Sequence, residues 1–266
     1  MIRAEGISVA IGDRHPLADV SVEAFPGRVT GIIGPNGSGK TTLLRVLAGV
    51  LTPTGGQVYL DARPLADFSP AARAKRIAYL PQSGSVAWPI RVRELVALGR
   101  LPQSPDRWRS PLHHPTPQDQ AAIARALADA ACTEFAERPY PSLSGGEKAR
   151  ALLARALATQ APVLLADEPV AALDPAHQVR VLQVLQAQAR AGQTVAVVLH
   201  DLSLAARFCD RLVLLNAGRI ALAGPSDEVL DSPLLETSFG TRFHRNFSGP
   251  VPVLVPTHPI ETNDDR

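Results

Sequence analysis

A glycine-rich segment with a single lysine has the residue types and spacing of a phosphate-binding loop. Residues 34–41 satisfy the pattern G-x-x-x-x-G-K-[ST] in full. The glycines allow the backbone to wrap around a phosphate, so that successive N–H groups and a helix N-terminus point at the anion. Lys40 would supply a compact charge for the β- and γ-phosphate oxygens, and the Thr41 hydroxyl would bind Mg²⁺. The predicted nucleotide-binding residues of this loop are Gly34, Pro35, Asn36, Gly37, Ser38, Gly39, Lys40, Thr41 and Thr42.

Two adjacent carboxylates follow the apolar run at 163–166 and are candidates for hydrolytic chemistry. Neighbouring residues on a strand point to opposite sides, so Asp167 and Glu168 are predicted to have different tasks. In P-loop NTPases the first acidic residue of such a strand holds Mg²⁺. The second is placed to orient or deprotonate the attacking water. We therefore predict that Asp167 is a Mg²⁺ ligand and that Glu168 is catalytic.

A serine and a glutamate three residues apart have the spacing of a capping box at the start of a helix. They lie in Leu143-Ser144-Gly145-Gly146-Glu147, and in such a box each side chain satisfies an N–H group that the helix leaves open. The two glycines would leave the positive end of the helix accessible to an anion. Alone, the segment is as compatible with an ordinary helix cap as with an anion site.

In this order, the three motifs resemble those of the ATP-binding subunits of ABC transporters, whose signature sequence is LSGGE. The resemblance covers nearly the whole chain and implies ATP and Mg²⁺ as cofactors. The resemblance also implies that Ser144, Gly145, Gly146 and Glu147 bind nucleotide. Leu80-Pro81-Gln82 is similar to the Q-loop of the family, which implies that Gln82 contacts Mg²⁺ or the attacking water. The implied Mg²⁺ ligands are Thr41, Gln82 and Asp167.

The segment Ala172-Leu173-Asp174 has two competing interpretations. It is similar to the D-loop of the family, which implies that Asp174 belongs to the nucleotide site. Asp174 followed by Pro175 is also a good cap and first residue for a helix that we expect to run to Ala191 and to stop at Gly192. The structural and the catalytic interpretation of Asp174 are about equally supported.

The segment Val198-Leu199-His200-Asp201 resembles the switch region of the same family. The resemblance makes His200 the sensor of the γ-phosphate, although a lone histidine after a strand is more often structural. With Glu168 and Gln82, His200 completes the predicted catalytic residues.

The resemblance also implies partners. Two copies of the chain would pack head to tail as a twofold homodimer, with ATP between the loop at 34–42 of one copy and residues 144–146 of the other. Hydrolysis would open this dimer and move transmembrane permease subunits, which would contact the chain near Gln82 and the helical subdomain. The chain would then be a peripheral protein on the cytoplasmic face of the bacterial inner membrane.

Three stretches of sequence point to a subfamily. Residues 94–100, residues 200–210, and the pair 225–230 and 253–256 resemble the ATPase subunits of importers for iron–siderophore, haem or cobalamin. Such an importer implies a periplasmic substrate-binding protein. An exporter ATPase, a soluble ABC ATPase acting in DNA repair or on ribosomes, and a non-catalytic nucleotide-binding module stay open as alternatives.

The elements that must position these residues follow from apolar runs and turn signals. Short β-rich runs predict strands at 29–33, 76–80, 163–166, 195–199 and 211–215. The last three are continuous apolar runs, which suit parallel strands covered on both faces. Helices are expected after the phosphate loop and at 93–100, 118–135 and 145–159. The proline-rich segment 101–120 is expected to be a loop.

These elements predict an α/β fold. The resemblance implies a P-loop NTPase (ABC ATPase) core with a mostly parallel sheet, an N-terminal antiparallel β part and an inserted α-helical subdomain. We expect a single ABC ATPase domain over residues 1–256, with the core at 1–82 and 160–240 and the helical subdomain at about 83–159. A polar, frayed tail is expected at 257–266.

Composition narrows the classes of function. The 266 residues include 27 basic and 25 acidic side chains, and a net charge of +2 is too small to favour a nucleic-acid partner. No apolar run approaches the ~18 residues of a membrane span, and the first residues do not resemble a signal peptide. We therefore expect a cytosolic chain whose membrane part is another protein. Cys132 and Cys209 are predicted to be small buried hydrophobes.

Two features depart from the family pattern. The family has an aromatic residue near position 11 that stacks on adenine, whereas Ile11 has no π-face, which leaves the selectivity for the base open. The loop at 102–120 is longer than expected and contains Trp108 and the pair His113-His114. Two histidines without further ligands favour a surface loop over a metal site. Trp108 is either a contact with the membrane partner or an ordinary exposed side chain.

Overall fold

The computed structural model describes residues 1–82, 86, 88–104, 115–171, 173–249 and 251–260. Within these ranges, no helix combines the length and the apolar character that crossing a membrane requires. Trp108 and the pair His113-His114 lie outside the described residues, as does Ala172.

An antiparallel sheet is formed by the N-terminal part of the chain. Its strands are β1 (Ile2–Ile11), β2 (Arg14–Ala24), β4 (Gly55–Leu60) and β5 (Arg63–Pro64), in the order β2-β1-β4-β5. A tight turn joins β1 to β2, so that Ile11 pairs with Arg14. Gly12 has a φ of 58° at the first central position of this turn, a conformation that glycine adopts without strain.

A second, six-stranded sheet carries the phosphate loop and follows the order β10-β9-β3-β8-β7-β6. Its strands are β3 (Val29–Ile33), β6 (Ile77–Leu80), β7 (Val163–Asp167), β8 (Thr194–Val198), β9 (Arg211–Asn216) and β10 (Arg219–Pro225). The first five are parallel, and β10 is antiparallel to β9. All five predicted strands are present, with ends that differ by at most one residue. Because the strands are parallel, the carboxyl ends of β3, β6, β7, β8 and β9 share one edge.

A short helix links the two sheets. Helix α1 (Lys40–Leu47) follows β3 and contacts strands of both sheets, and its apolar side chains share one core with β1, β3 and β7. The predicted mixed α/β fold, with an antiparallel part and a mostly parallel sheet, is confirmed.

Helix α2 (Pro70–Arg76) precedes β6. The described part of the chain between β6 and β7 is an insertion that consists mainly of helices. The α-helices of this insertion are α3 (Val92–Ala97), α4 (Pro117–Asp129) and α5 (Gly145–Ala158), and they pack on one another. Short 3-10 helices lie at Leu98–Gln103, Thr133–Phe135 and Tyr140–Ser142. Arg100 is buried here, and its Nε donates to Asp119 Oδ1 at 2.8 Å.

Two predicted boundaries in this insertion are wrong. The helix expected to reach residue 135 ends at Asp129, because Ala131 has a φ of 53° that a right-handed helix does not accommodate. The segment 101–120 is not loop at its ends. It contains the end of a 3-10 helix and the first turn of α4, which Thr116 caps and which Pro117 fits because proline suits a first helical position.

The C-terminal part completes the core. Its helices are α6 (Pro175–Arg190), α7 (Leu202–Phe208), α8 (Ser226–Asp231) and α9 (Pro233–Phe239), and a hairpin of β11 (Thr241–Asn246) and β12 (Val253–Pro259) follows. Leu254 is buried, and its N–H donates to Ser203 Oγ at 2.9 Å. The expectation of a frayed tail from Thr257 is therefore wrong as far as Pro259, because this anchor and the pairing with β11 hold the strand.

Both cysteines are buried and free, as predicted. Burial raises the pKa of the Cys132 thiol to about 12 and also raises that of Cys209. Neither thiol is therefore poised to act as a nucleophile at neutral pH.

Candidate nucleotide-binding and hydrolysis site

The glycine-rich loop connects β3 to α1, and at Gly34 and Gly39 it approaches other backbone too closely for a side chain. A Cβ on Gly34 would lie 2.1 Å from the Leu215 carbonyl oxygen, and one on Gly39 would lie 2.4 Å from the Pro16 carbonyl oxygen. Both glycines have positive φ, 147° and 104°. Gly39 immediately precedes α1 and has no side chain that could cap the helix. The first N–H groups of α1 therefore face the loop without a capping side chain.

Lys40 is 5% exposed, and its ammonium lies inside the loop. Lys40 Nζ donates to the carbonyl oxygens of Gly34 at 2.9 Å and Pro35 at 2.8 Å. Burial lowers the pKa of Lys40, while the charges of Glu168 and Asp167 oppose this shift. The loop thus holds a positive charge at its centre.

Asp167 ends β7 and is buried beside the start of α1. Its Oδ1 accepts a hydrogen bond from Thr41 Oγ1 at 3.1 Å, and its Oδ2 accepts one from Tyr79 OH at 3.4 Å. Desolvation raises the pKa of Asp167. A hydroxyl and a carboxylate at this separation are the hard oxygen donors that Mg²⁺ prefers. Tyr79 has no motif of its own, and the sequence analysis missed it.

No cluster of three or more His, Cys, Asp and Glu side chains that could hold a metal ion occurs in the part of the chain that the structure describes. A Mg²⁺ ion bound through one carboxylate, a hydroxyl and phosphate oxygens does not need such a cluster, because Mg²⁺ commonly takes one or two carboxylates plus substrate phosphates. The residues present fit that kind of site.

Glu168 lies just beyond β7, and its carboxylate has different partners from that of Asp167. Its Oε2 accepts a hydrogen bond from Gln82 Nε2 at 2.6 Å, and its Oε1 lies 2.5 Å from His200 Nε2. The two carboxylates separate as predicted, but the reason differs. Since β7 ends at Asp167, the separation comes from the left-handed backbone of Glu168, with a φ of 50°, and not from strand alternation.

The signature segment forms the capping box that its spacing predicts. Glu147 N–H donates to Ser144 Oγ at 3.3 Å, and Ser144 N–H donates to Glu147 Oε2 at 2.8 Å. This backbone hydrogen bond lowers the pKa of Glu147, and Arg138 pairs with the same carboxylate at 2.8 Å. A Cβ on Gly145 would meet no atom within 4 Å, so the start of α5 is open.

Asp174 caps α6. Its Oδ1 accepts the His177 N–H at 3.0 Å, and its Oδ2 lies 2.7 Å from His177 Nδ1. The hydrogen bond from the His177 N–H lowers the pKa of Asp174. The structural interpretation of Asp174 is thus present in the geometry, and the sequence analysis did not identify His177 as its partner.

A pocket of about 600 Å³ gathers part of the predicted site. Eight predicted residues line it: Asn36, Gly37, Gly39, Lys40, Thr41, Thr42, Glu168 and His200. The residues 144–147 and Asp174 are not in its wall. Arg14, His15 and the turn Ala217-Gly218 also line the pocket, although no sequence motif indicated them.

The sequence is similar to those of known transport proteins. The family profile described as ABC transporter matches residues 17–171. The hemin import ATP-binding protein HmuV of Pseudomonas aeruginosa is 45% identical over 264 residues, which cover 97% of this chain and 96% of the relative. The protein of the same name from Streptomyces coelicolor is 47% identical over 233 residues, covering 87% and 80%.

Solved structures agree with these relatives. A metal-chelate type ABC transporter in an inward-facing conformation matches with a TM-score of 0.81 at 25% identity, covering 97% of each chain. A dimeric bacterial ABC transporter cassette matches with a TM-score of 0.76 at 27% identity, covering 85% of this chain and 99% of that one. The chain therefore belongs to the ABC transporter family and is an ATPase, as its motifs predict.

Proposed function

We propose that this chain is the ATP-hydrolysing subunit of a transporter that imports haem or a related metal chelate of the iron–siderophore or cobalamin class. The observation that carries the proposal is the convergence of Gln82 and His200 on the carboxylate of Glu168 beside the phosphate loop. The import direction and the haem class are supported by the similarity to hemin import ATP-binding proteins.

The loop residues 34–42 would bind the triphosphate of ATP. Their N–H groups and the start of α1 face the anion, and the Lys40 ammonium would reach the β- and γ-phosphate oxygens. Thr41, Asp167 and Gln82 would hold Mg²⁺, since the first two already place oxygen atoms 3.1 Å apart. Mg²⁺ in this place would neutralise charge on the β- and γ-phosphates.

Glu168 would act as the general base. As the oxygen of a water molecule attacks the γ-phosphorus, Glu168 takes a proton from that water, and the bond to the bridging oxygen breaks to release ADP and phosphate. Gln82 and His200 hold the two carboxylate oxygens at 2.6 and 2.5 Å, so they fix the direction in which Glu168 accepts the proton. His200 would also contact the γ-phosphate.

A second copy of the chain would complete the site. Ser144, Gly145, Gly146 and Glu147 lie outside the pocket of their own chain, yet the start of α5 is open to an anion. In a twofold dimer, this helix start would face the nucleotide of the partner. Asp174 would contribute by fixing the end of the loop that follows Glu168, since its carboxylate caps α6.

Permease subunits and, through them, a periplasmic substrate-binding protein would be the other partners. We propose a single domain over residues 1–256 with the core at 1–82 and 160–240. The helical subdomain at about 83–159 would contact the permease together with the segment near Gln82. The chain would then be peripheral on the cytoplasmic face of the inner membrane.

Glu168→Gln tests the catalytic assignment. The amide cannot take the proton, so hydrolysis is expected to fall by about a hundredfold or more, while ATP binding is retained because the phosphate loop is unchanged. Phosphate release and ATP affinity are measured on the full chain. Glu23→Gln, a matched change at an exposed position of β2, serves as the control. Unchanged turnover in Glu168→Gln would contradict the proposal.

Reconstitution tests the substrate and the direction. The chain is combined in vesicles with the permease subunits that co-purify with it, and ATP-dependent uptake of haem, a ferric siderophore and cobalamin is measured. Haem uptake that disappears with Glu168→Gln is the expected result. ATP-dependent efflux would reject import, and uptake of only one of the other two chelates would reject the haem assignment.

A further inference from the structure

The two oxygens of the Asp167 carboxylate accept hydrogen bonds from different residues. Oδ1 accepts one from the Thr41 hydroxyl at 3.1 Å, and Oδ2 accepts one from the Tyr79 hydroxyl at 3.4 Å. Because Thr41 is itself a proposed Mg²⁺ ligand, Oδ1 is the oxygen that lies next to the cation. The reaction proposed above assigns no task to Tyr79.

The pairing of β6 with β7 brings Tyr79 to this carboxylate. The two strands are parallel, and Tyr79 pairs with Leu165. Side chains two residues apart on a strand share a face, so Leu165 and Asp167 point to the same side of the sheet. Tyr79 packs against the apolar core that contains Leu165, and its hydroxyl extends beyond Leu165 to Asp167. Apolar packing therefore holds the ring, and the hydroxyl reaches the carboxylate.

The Tyr79 hydroxyl is a hydrogen-bond donor at neutral pH. Burial raises the pKa of Tyr79, while the nearby guanidinium of Arg45 opposes the rise. The phenol therefore keeps its proton, which it shares with Oδ2 of Asp167.

We infer that Tyr79 is a positioning residue through which the site selects Mg²⁺ over Ca²⁺; the inference rests on the binding of Mg²⁺ by Thr41 and Asp167 proposed above. The two donors fix the carboxylate, so that Oδ2 stays on Tyr79 while Oδ1 faces the cation. Mg²⁺ requires near-ideal octahedral geometry, and the two oxygens of one carboxylate lie too close together to occupy two corners of an octahedron. Ca²⁺ takes more oxygen ligands in a flexible geometry and also binds carboxylates through both oxygens. Holding Oδ2 on Tyr79 thus removes a ligand from Ca²⁺ but none from Mg²⁺.

Calorimetry on the full chain compares binding of the Mg²⁺ and the Ca²⁺ complexes of a non-hydrolysable ATP analogue. Tyr79→Phe keeps the ring and removes the hydroxyl. The affinity for the Ca²⁺ complex relative to the Mg²⁺ complex is expected to rise about fivefold, the effect of one weak hydrogen bond. Tyr59→Phe is the matched control, because it removes a hydroxyl that donates to Gln57 on β4, and it should leave this ratio unchanged.

A second variant separates the hydroxyl from the packing of the ring. Tyr79→Leu also loses the ring, so its free energy of unfolding should fall, but its affinity ratio should rise as much as that of Tyr79→Phe. Equal changes for both complexes in Tyr79→Phe, or an unchanged ratio, would overturn the inference. A ratio that changes only in Tyr79→Leu would also overturn it, because packing and not the hydroxyl would then set the selectivity.

Asp167→Asn distinguishes failure of the inference from failure of the proposed Mg²⁺ site. The amide lacks the charge that attracts the cation, so both complexes should bind more weakly, whereas the analogue without metal should bind at least as tightly as before. If Asp167→Asn leaves both complexes unchanged, the proposed Mg²⁺ site is rejected. If it weakens both while Tyr79→Phe leaves the ratio unchanged, only the role of Tyr79 is rejected.

Discussion

Glu168 and Ala217 have the same unusual backbone conformation on opposite sides of one pocket. Their φ angles are 50° and 46°, in the left-handed region where a Cβ costs about 1–2 kcal/mol. At Glu168 this conformation turns the carboxylate away from Asp167 and toward Gln82 and His200. At Ala217 it closes the turn between β9 and β10, and the methyl group makes no hydrogen bond.

The two residues differ in what their strained backbone does. At Glu168 the left-handed conformation positions a side chain, whereas at Ala217 it only forms a turn. Functional sites commonly retain unfavourable backbone conformations because the surrounding structure holds them. Glu168 follows a strand that is buried on both faces. Its backbone conformation positions a carboxylate that has two hydrogen-bond partners. Ala217 precedes Gly218, which also has positive φ, at 75°, and the pair forms the two-residue turn between β9 and β10.

The largest expected effect comes from replacing Glu168 by Gly and by Ala. Both variants lose the carboxylate, so hydrolysis is expected to fall by about a hundredfold or more in each. Their stabilities are expected to differ: Gly should be about 1 kcal/mol more stable than Ala, because only Gly lacks the Cβ that the left-handed conformation disfavours. The free energy of unfolding in urea measures this difference.

An exposed alanine in a right-handed helix provides a matched control, at which glycine is expected to change stability in the opposite direction. Ala187 lies on the exposed face of α6 in a right-handed helical conformation, where Ala187→Gly is expected to cost about 1 kcal/mol. Gly should therefore stabilise relative to Ala at position 168 and destabilise at position 187. Equal stabilities of Glu168→Gly and Glu168→Ala would show that the backbone at Glu168 stores no strain.

Asp167→Asn is expected to remove activity and to add stability. Burial raises the pKa of Asp167, so the folded chain binds this proton more tightly than the unfolded chain does. The contribution of Asp167 to stability is therefore full below the ordinary carboxyl pKa and is lost as the pH rises through the raised value. Asn has no such loss, so above that window the variant should melt at a higher temperature than the wild type.

Thermal unfolding between acidic and neutral pH, without nucleotide or Mg²⁺, tests this prediction. The difference between Asp167→Asn and the wild type should grow with rising pH and then stay constant. A wild type that gains stability over the variant as the pH rises would show that the fold favours the ionised carboxylate, and Asp167 would then not be held at a cost for Mg²⁺.

The two sides of the pocket also differ in how far the sequence predicts them. Lys40, Asp167 and Glu168 lie in short motifs next to buried apolar strands, so local patterns place them on one edge of a parallel sheet. His15 lies in no motif. Its place depends on the register of β1 with β2 and on the contact of Leu17 with Gly39, and neither is visible in a local pattern.

Local conformation limited the prediction in two further ways. Helix α4 ends earlier than predicted because Ala131 adopts positive φ. The sequence has no glycine or proline at this point to indicate the end of a helix. The tail from Thr257 is polar and looks frayed in the sequence, yet a single buried leucine, Leu254, anchors the strand that contains it. In both places a tertiary contact or a backbone angle outweighs composition.

The smallest expected effect, and the finest test of the comparison, is Ala217→Asn. Asn tolerates the left-handed region better than Ala, and Asn-Gly is the preferred pair for a turn in which both central residues have positive φ. We expect a gain of about 0.5 kcal/mol in the free energy of unfolding. Ala217→Gly should also stabilise, because Gly lacks the Cβ that the left-handed conformation disfavours. If neither Ala217→Asn nor Ala217→Gly stabilises the protein, while Glu168→Gly is more stable than Glu168→Ala, then only the backbone at Glu168 is strained.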